Sequence, residues 1–170
     1  LRGCSVAQQT FILEQLQSWS SLANHPLLLP VLLTGYIRQL LRHQTKLLWD
    51  DLLYAETESG QTGAPVMNAL PKGHRDCASI ANIVLGVIQM GSSWESYTSV
   101  LILCIKSIHE SISHINTVTP YHRKEITEIQ SAILTERLEF VSHKCSTMLW
   151  DIQFFLKRAE AQMAAVSPPK

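Results

Sequence analysis

Apolar side chains recur in steps of three and four along most of this chain, and that spacing predicts α-helices throughout. The last segment is the clearest case, because residues 120–166 contain no glycine and no proline after Pro120. Thr119 can cap this helix, and Pro120 suits its first position. A helix with one apolar side needs partner helices to cover it. Its predicted apolar side consists of Ile126, Ile129, Ile133, Leu134, Leu138, Val141, Cys145, Met148, Ile152, Phe155, Ala159, Met163 and Val166.

The same reading along the whole chain predicts four helices, at about residues 6–20, 28–57, 76–116 and 120–166, with one loop over residues 58–75. Gly35 predicts a close helix contact in the second helix, and Gly91 a kink or break in the third. The β-branched residues fall at helical intervals, so no strand is expected. We therefore predict one domain over residues 1–170. It would be an all-α, elongated antiparallel helical bundle with a long C-terminal helix.

Composition narrows the classes of function. The 14 basic and 14 acidic side chains cancel, which argues against broad attraction to nucleic acid or anionic lipid. No apolar run reaches the roughly 18 to 20 residues that span a bilayer, so no membrane span is expected within this chain. The start of the sequence suggests a piece of a longer protein without a secretory signal. The scattered cysteines favour a reducing compartment, with two of them acting as small hydrophobes on apolar helix faces. Those two are Cys104 and Cys145.

Asp50 and Asp51 are the candidate metal ligands, with Mg²⁺ as the ion. The segment around them is similar to the aspartate-rich magnesium motif of terpene cyclases. It lacks the third carboxylate, because position 54 is tyrosine, and no second metal-binding set is present. The alternative is that the two aspartates simply form a solvated face of a helix.

Arg38, Arg42 and Lys46 are the candidate binding residues, since their spacing of four places them in one basic stripe. The basic stripe could bind phosphate, lipid headgroups or an acidic protein surface, or it could pair with acids of neighbouring helices. His109 and His114 lie five residues apart, about 140° around a helix, which does not suit a shared zinc site. No residue is assigned a catalytic role.

Three short motifs resemble a group of fungal proteins of the CorA-like magnesium transporter family. They are residues 25–30 (HPLLLP) at the head of a helix, residues 137–140 (RLEF) and residues 157–163 (KRAEAQM). The resemblance implies a helical region on the cytoplasmic side of a membrane protein, where relatives sense magnesium through acidic side chains between subunits. The family's pore motif is Gly-Met-Asn. This chain has Val-Met-Asn at residues 66–68, in the predicted loop, so pore function is not carried over.

Two hypotheses follow. The first is a non-enzymatic helical domain, the cytosolic regulatory or stalk part of a CorA-like fungal membrane protein. It would act through helix-mediated assembly with itself or another helical protein, and through sensing of a divalent ion. The second is a small all-α enzyme or enzyme accessory with a pocket between helices. Its first residues to test would be Asp50, Asp51, His109 and His114.

Overall fold

The computed structural model describes residues 6–60 and 77–166. They form four helices: α1 (Val6–Ser18), α2 (Leu28–Ser59), α3 (Cys77–Val118) and α4 (Tyr121–Val166), with a short 3₁₀ turn at Ser20–Leu22. These residues contain no strand, and the helices pack on one another, which confirms the predicted all-α helical bundle. The predicted loop and its Val-Met-Asn motif fall almost entirely on residues 61–76, outside the described residues.

The ends of α2 follow from local sequence. Pro30 lies in its first turn, where a residue without an N–H loses no helical hydrogen bond. At the other end Gly60 has φ of 72°, the left-handed conformation that glycine adopts without steric cost. The Gly60 amide donates to the carbonyl of Thr57 at 3.1 Å, which closes the helix.

The third helix is continuous through Gly91, so a break at this residue is wrong. The hydroxyls of Ser92 and Ser93 donate to carbonyls four residues earlier, at 2.9 and 3.1 Å, and keep their hydrogen bonds within the helix. The glycine instead allows close packing, because a Cβ at Gly91 would lie 2.8 Å from Cδ2 of Leu156. The close contact predicted at Gly35 is wrong too, since nothing lies within 4 Å of a Cβ built there.

The chain divides into two compact units. Unit 1 comprises Leu1–Leu40 and Val100–Ser146, and unit 2 comprises Leu41–Ser99 and Thr147–Lys170. Helix α1 belongs to unit 1 alone, whereas α2, α3 and α4 each contribute residues to both.

In unit 1 the core follows the predicted apolar side of α4 only in part. Leu134, Leu138 and Cys145 are buried as predicted. The prediction is wrong at the start of α4, where Ile126, Ile129 and Ile133 are exposed. The buried position in that turn is the polar Ser131, which is hydrogen-bonded to two other elements. Cys104, also predicted on an apolar face, is exposed on α3.

In unit 2 the core is built from α2, α3 and the last third of α4. Each fully buried aliphatic side chain in such a core contributes about 1.5 to 3 kcal/mol to stability. The cluster consists of Leu52, Ala55, Ile80, Val84, Val87 and Ala159, with Ile83, Ile88, Phe155 and Met163 packed against it.

Candidate functional site

An apolar groove lies between α2 and α3 in unit 2, and we call it the α2/α3 groove. Its volume is about 550 Å³. That is within the range of sites that hold small molecules or the side chains of a partner helix. Asp51 is the one charged residue among its lining residues. The groove is lined by Gln44, Leu47, Leu48, Asp51 and Tyr54 of α2 and by Ile83, Gly86, Val87 and Met90 of α3.

The groove follows from helical spacing in the two helices. On α2 the steps between Gln44, Leu47, Asp51 and Tyr54 are three, four and three, so these residues share one face. That face sits next to the core face of Leu48 and Leu52, but it remains open to solvent. Leu47 is 45% exposed and Tyr54 55% exposed. Exposed apolar side chains grouped around a groove mark a candidate interaction site.

Gly86 has no side chain, so the α3 wall of the groove does not project at this position. No atom lies within 4 Å of a Cβ built on this residue, so the chain's own packing does not require a glycine here. A glycine inside a helix costs about 1 kcal/mol relative to alanine. Met90, one turn further along α3, is 46% exposed. The groove therefore has room for the backbone of another helix to approach closely.

The two candidate metal ligands diverge in the structure. Asp50 and Asp51 are both exposed, and neighbouring residues on a helix point about 100° apart. Asp51 lines the α2/α3 groove, whereas Asp50 does not. Within the described ranges, no group of three His, Cys, Asp or Glu side chains is placed to hold a metal ion. Two carboxylates can hold Mg²⁺ when water molecules complete its coordination, and magnesium binding at this pair stays a prediction.

The basic stripe is not uniform. Arg42 and Lys46 are exposed on α2, while Arg38 is partly buried. Arg38 lies near Cys145, whose pKa is raised to about 11 by burial; the positive charge of Arg38 acts in the opposite direction. A role for the basic stripe in binding an anion stays a prediction. His109 is half-buried, and Glu110 and His114 are exposed, without a metal cluster among the described residues.

One buried polar cluster of unit 2 was missed by the sequence reading. Arg158 of α4 donates two hydrogen bonds to the carboxylate of Glu56 on α2, with the Nε–Oε1 distance at 3.0 Å. Its guanidinium carbon also lies 4.9 Å from the ring centre of Trp49 and 5.6 Å from that of Phe154. The signal that the sequence offered for this pair was that Glu56 and Arg158 each lie directly beside a core-facing residue. The cluster joins two helices, α2 and α4.

A second missed cluster lies in unit 1. The buried His25 accepts a hydrogen bond at Nδ1 from the amide of Leu27, at 3.2 Å. Its Nε2 therefore carries the proton and donates to the hydroxyl of Ser131, also at 3.2 Å. Ser131 in turn donates to Oδ1 of Asn116 at 2.7 Å. This chain of hydrogen bonds ties together the turn before α2, the end of α3 and the start of α4.

No family model, curated protein sequence or solved structure matches this chain. The CorA-like resemblance consequently stays a prediction that rests on the three short motifs of the sequence.

Helix α3 bears on the expectation that no membrane span lies within this chain. By length and composition it could cross a bilayer, because its most apolar stretch of 18 residues has a mean hydropathy of 1.3. Core helices of soluble proteins and signal sequences pass the same test, so length and composition do not decide between them. Only 22% of that stretch is buried inside the structure. Much of the apolar surface of α3 is thus not covered by the described part of the chain.

Proposed function

We propose that this chain is a non-enzymatic helical assembly domain whose α2/α3 groove binds a helix. The observation that carries the proposal is the groove itself: two helices present apolar residues at helical spacing around an open channel of about 550 Å³. Three helices that leave such a channel in unit 2 resemble a four-helix bundle with one position vacant. A docked helix would cover Leu47, Tyr54 and Met90, which are now about half exposed.

The chemistry of the lining residues favours binding over catalysis. The polar side chains in the groove are Gln44, Asp51 and Tyr54, set among aliphatic residues and Met90. The lining includes no histidine, cysteine, serine or lysine, so it offers no pair of nucleophile and base. The enzyme hypothesis therefore has less support than the assembly hypothesis from the residues that line this groove.

The wider form of the proposal keeps the expectations drawn from the resemblance. The domain would be a regulatory or stalk region in the cytoplasm or at the cytoplasmic face of a membrane. A divalent ion, with Asp50 and Asp51 as ligands, would modulate its assembly. What supports this wider form is the set of three motifs together with the long helices α3 and α4.

A fluorescent synthetic peptide tests the proposed function. The peptide is an amphipathic helix with leucine at the apolar positions a and d of each heptad and lysine elsewhere. Its binding is followed by fluorescence anisotropy. We expect saturable binding that Leu47→Lys weakens by about tenfold or more, since lysine would place a charge in the apolar groove. Leu85→Lys is the matched control, because Leu85 is 44% exposed against 45% for Leu47 but does not line the groove.

Failure of the peptide to bind, or equal losses in the two lysine variants, would overturn the assembly proposal.

Repeating the titration with millimolar magnesium tests the ion-sensing part. A change in affinity with the native chain, lost in an Asp50→Asn, Asp51→Asn variant, is expected if the pair binds the ion. An affinity that does not depend on magnesium would remove that part and leave the groove proposal in place.

A further inference from the structure

Helix α4 carries an exposed stripe in unit 2 that the core of this unit does not use. The stripe consists of Phe154, Lys157, Ala161 and Ala164, all of them exposed. Phe154 is 43% exposed; its ring stacks on that of Trp150, with 5.8 Å between centres and a tilt of 9°, and lies 5.6 Å from the guanidinium carbon of Arg158. We call these four residues the α4 stripe. It combines an aromatic ring, one positive charge and two small side chains.

We infer that the α2/α3 groove of one copy of this chain receives the α4 stripe of a second copy. The inference rests on the proposed function, because it names the occupant of the same groove. The spacing of the two surfaces agrees. Along α2 the groove residues Gln44, Leu47, Asp51 and Tyr54 follow one another in steps of three, four and three. The α4 stripe has the same steps in either direction.

An antiparallel arrangement of α4 against α2 brings the two sets into register. When Lys157 stands opposite Asp51, Phe154 stands opposite Tyr54 and Ala161 opposite Leu47. The same register places Ala164 opposite Gln44. Heptad faces on two helices interdigitate when their three-four spacing is matched in this way. Because each residue rises about 1.5 Å along a helix, the matched segments are both about 15 Å long.

Charge agrees with the register. Asp51 is the only charged residue among those that line the groove, and Lys157 is the only charged residue of the α4 stripe. In the antiparallel register these two charges meet, and the remaining pairs are uncharged. An opposite-charge pair set in an apolar contact favours the register that brings its two charges together.

The positions of the small residues also fit the antiparallel arrangement. Gly86 gives the docked helix space on the α3 side, with no atom within 4 Å of a Cβ built there. Ala161 and Ala164 give the docked helix itself a thin edge beside the large Leu47. Close approach of helix backbones needs small residues on at least one side, and both partners have them here. Phe154 and Tyr54 then form the aromatic contact that anchors one end of the interface.

The resulting contact is heterologous, because the groove and the α4 stripe are different surfaces of the chain. Each copy offers both surfaces, so copies can join head to tail, and association either closes into a ring or continues into larger species. The average mass should therefore rise with concentration from the 19.1 kDa of one chain.

Charge reversal tests the inference by sedimentation velocity on the full chain. We expect Asp51→Lys and Lys157→Glu each to weaken self-association by about tenfold or more, because each places like charges against one another. A mixture of the two variants should recover association. The groove of the Asp51→Lys variant would face the α4 stripe of the Lys157→Glu variant, so that opposite charges meet again with their positions exchanged. The reciprocal contact between the same two variants keeps the native pair.

The matched control is Glu110→Lys, which reverses an exposed acidic residue of α3 outside the groove and should leave self-association unchanged. Circular dichroism of each variant verifies that the helices are intact. Equal effects of Glu110→Lys and Asp51→Lys, or no recovery in the mixture, would overturn the inference. A wild-type chain that stays monomeric up to about millimolar concentration would also overturn it. The proposed function would survive any of these results if the synthetic peptide still bound and Leu47→Lys still weakened that binding.

Discussion

The guanidinium group of Arg158 donates two hydrogen bonds to the carboxylate of Glu56 and lies over the ring of Trp49. The side chain of Glu56 is only 7% exposed, whereas that of Arg158 is 33% exposed. A buried carboxylate needs such partners, because the loss of its hydration costs several kcal/mol unless charge and hydrogen bonds replace it. The pair thus ties α2 to α4 within unit 2, and the same guanidinium group lies against the rings of Trp49 and Phe154.

Removing one member of this pair is expected to cost more than removing both. Arg158→Met should lower the free energy of unfolding by about 2 to 3 kcal/mol, reduced from the full value for a buried pair because Arg158 is partly exposed. The double variant Glu56→Met, Arg158→Met should recover most of that loss, since no unpaired charge remains. Urea unfolding measures both values. A double variant less stable than Arg158→Met would show that the pair itself contributes net stability.

Stability should fall on acidification through His25. Burial lowers the pKa of this histidine from its ordinary 6.5, so the unfolded chain binds the proton first. The free energy of unfolding is then highest above pH 6.5 and falls as the pH drops from there toward the lowered pKa of the folded state. The loss is at most about 1.4 kcal/mol per pH unit for one proton. Protonation at Nδ1 would also set two donors against each other, because the Leu27 amide already points there.

Thermal melts between about pH 7.5 and pH 5 measure this effect, with His25→Asn as the control that cannot titrate in this range. The expected result is a pH dependence in the native chain that the variant lacks. Equal dependence in the two proteins would mean that other groups account for it.

Alanine substitutions at three helical glycines should change the free energy of unfolding in different directions. Gly35→Ala and Gly86→Ala should each raise the free energy of unfolding by about 0.5 to 1 kcal/mol, because the added methyl meets open space and restricts the unfolded chain. Gly91→Ala should be neutral or destabilising, because its Cβ would lie 2.8 Å from Leu156. Urea titrations of the three variants give the ranking. Gly91→Ala as the most stable of the three would contradict the packing seen at Leu156.

The Gly86→Ala variant also separates stability from assembly. A helix docked in the α2/α3 groove loses space when Gly86 gains a methyl group, whereas Gly35 does not line the groove. Self-association should therefore weaken in Gly86→Ala and stay unchanged in Gly35→Ala, although both raise stability. Sedimentation at matched concentrations measures the difference, and a loss in neither variant would count against close approach at Gly86.

The thiol of Cys145 should resist alkylation in the folded chain. It is buried, and burial raises its pKa to about 11, so only about one part in a thousand is thiolate at about pH 8. Cys77 and Cys104 are exposed and serve as internal controls. Mass spectrometry of peptides after brief iodoacetamide treatment should show these two labelled, with Cys145 labelled only after denaturant is added. Early labelling of Cys145 would indicate that unit 1 opens readily.

The candidate site could be predicted only in part. Asp51 drew attention as half of an acidic pair, but its place in the α2/α3 groove depends on which face of α2 the third helix covers. Periodicity marks an apolar side without saying how wide the covered part is. It therefore does not separate Leu48, which is buried, from Leu47, which is half exposed. The Arg158–Glu56 pair joins residues about a hundred positions apart, and a periodic pattern does not report which distant residues meet.

By itself, the sequence determined the helices of this protein, because apolar spacing, glycine and proline act within a few residues along the chain. All four helices begin and end within a few residues of the predicted positions. Only the tertiary structure decided which helix faces meet. It placed Ser131 rather than the nearby isoleucines in the core, brought Gly91 rather than Gly35 against a neighbouring side chain, and left the α2/α3 groove open. The physical reason is that burial depends on the rotation of each helix about its axis, and contacts between distant residues set that rotation.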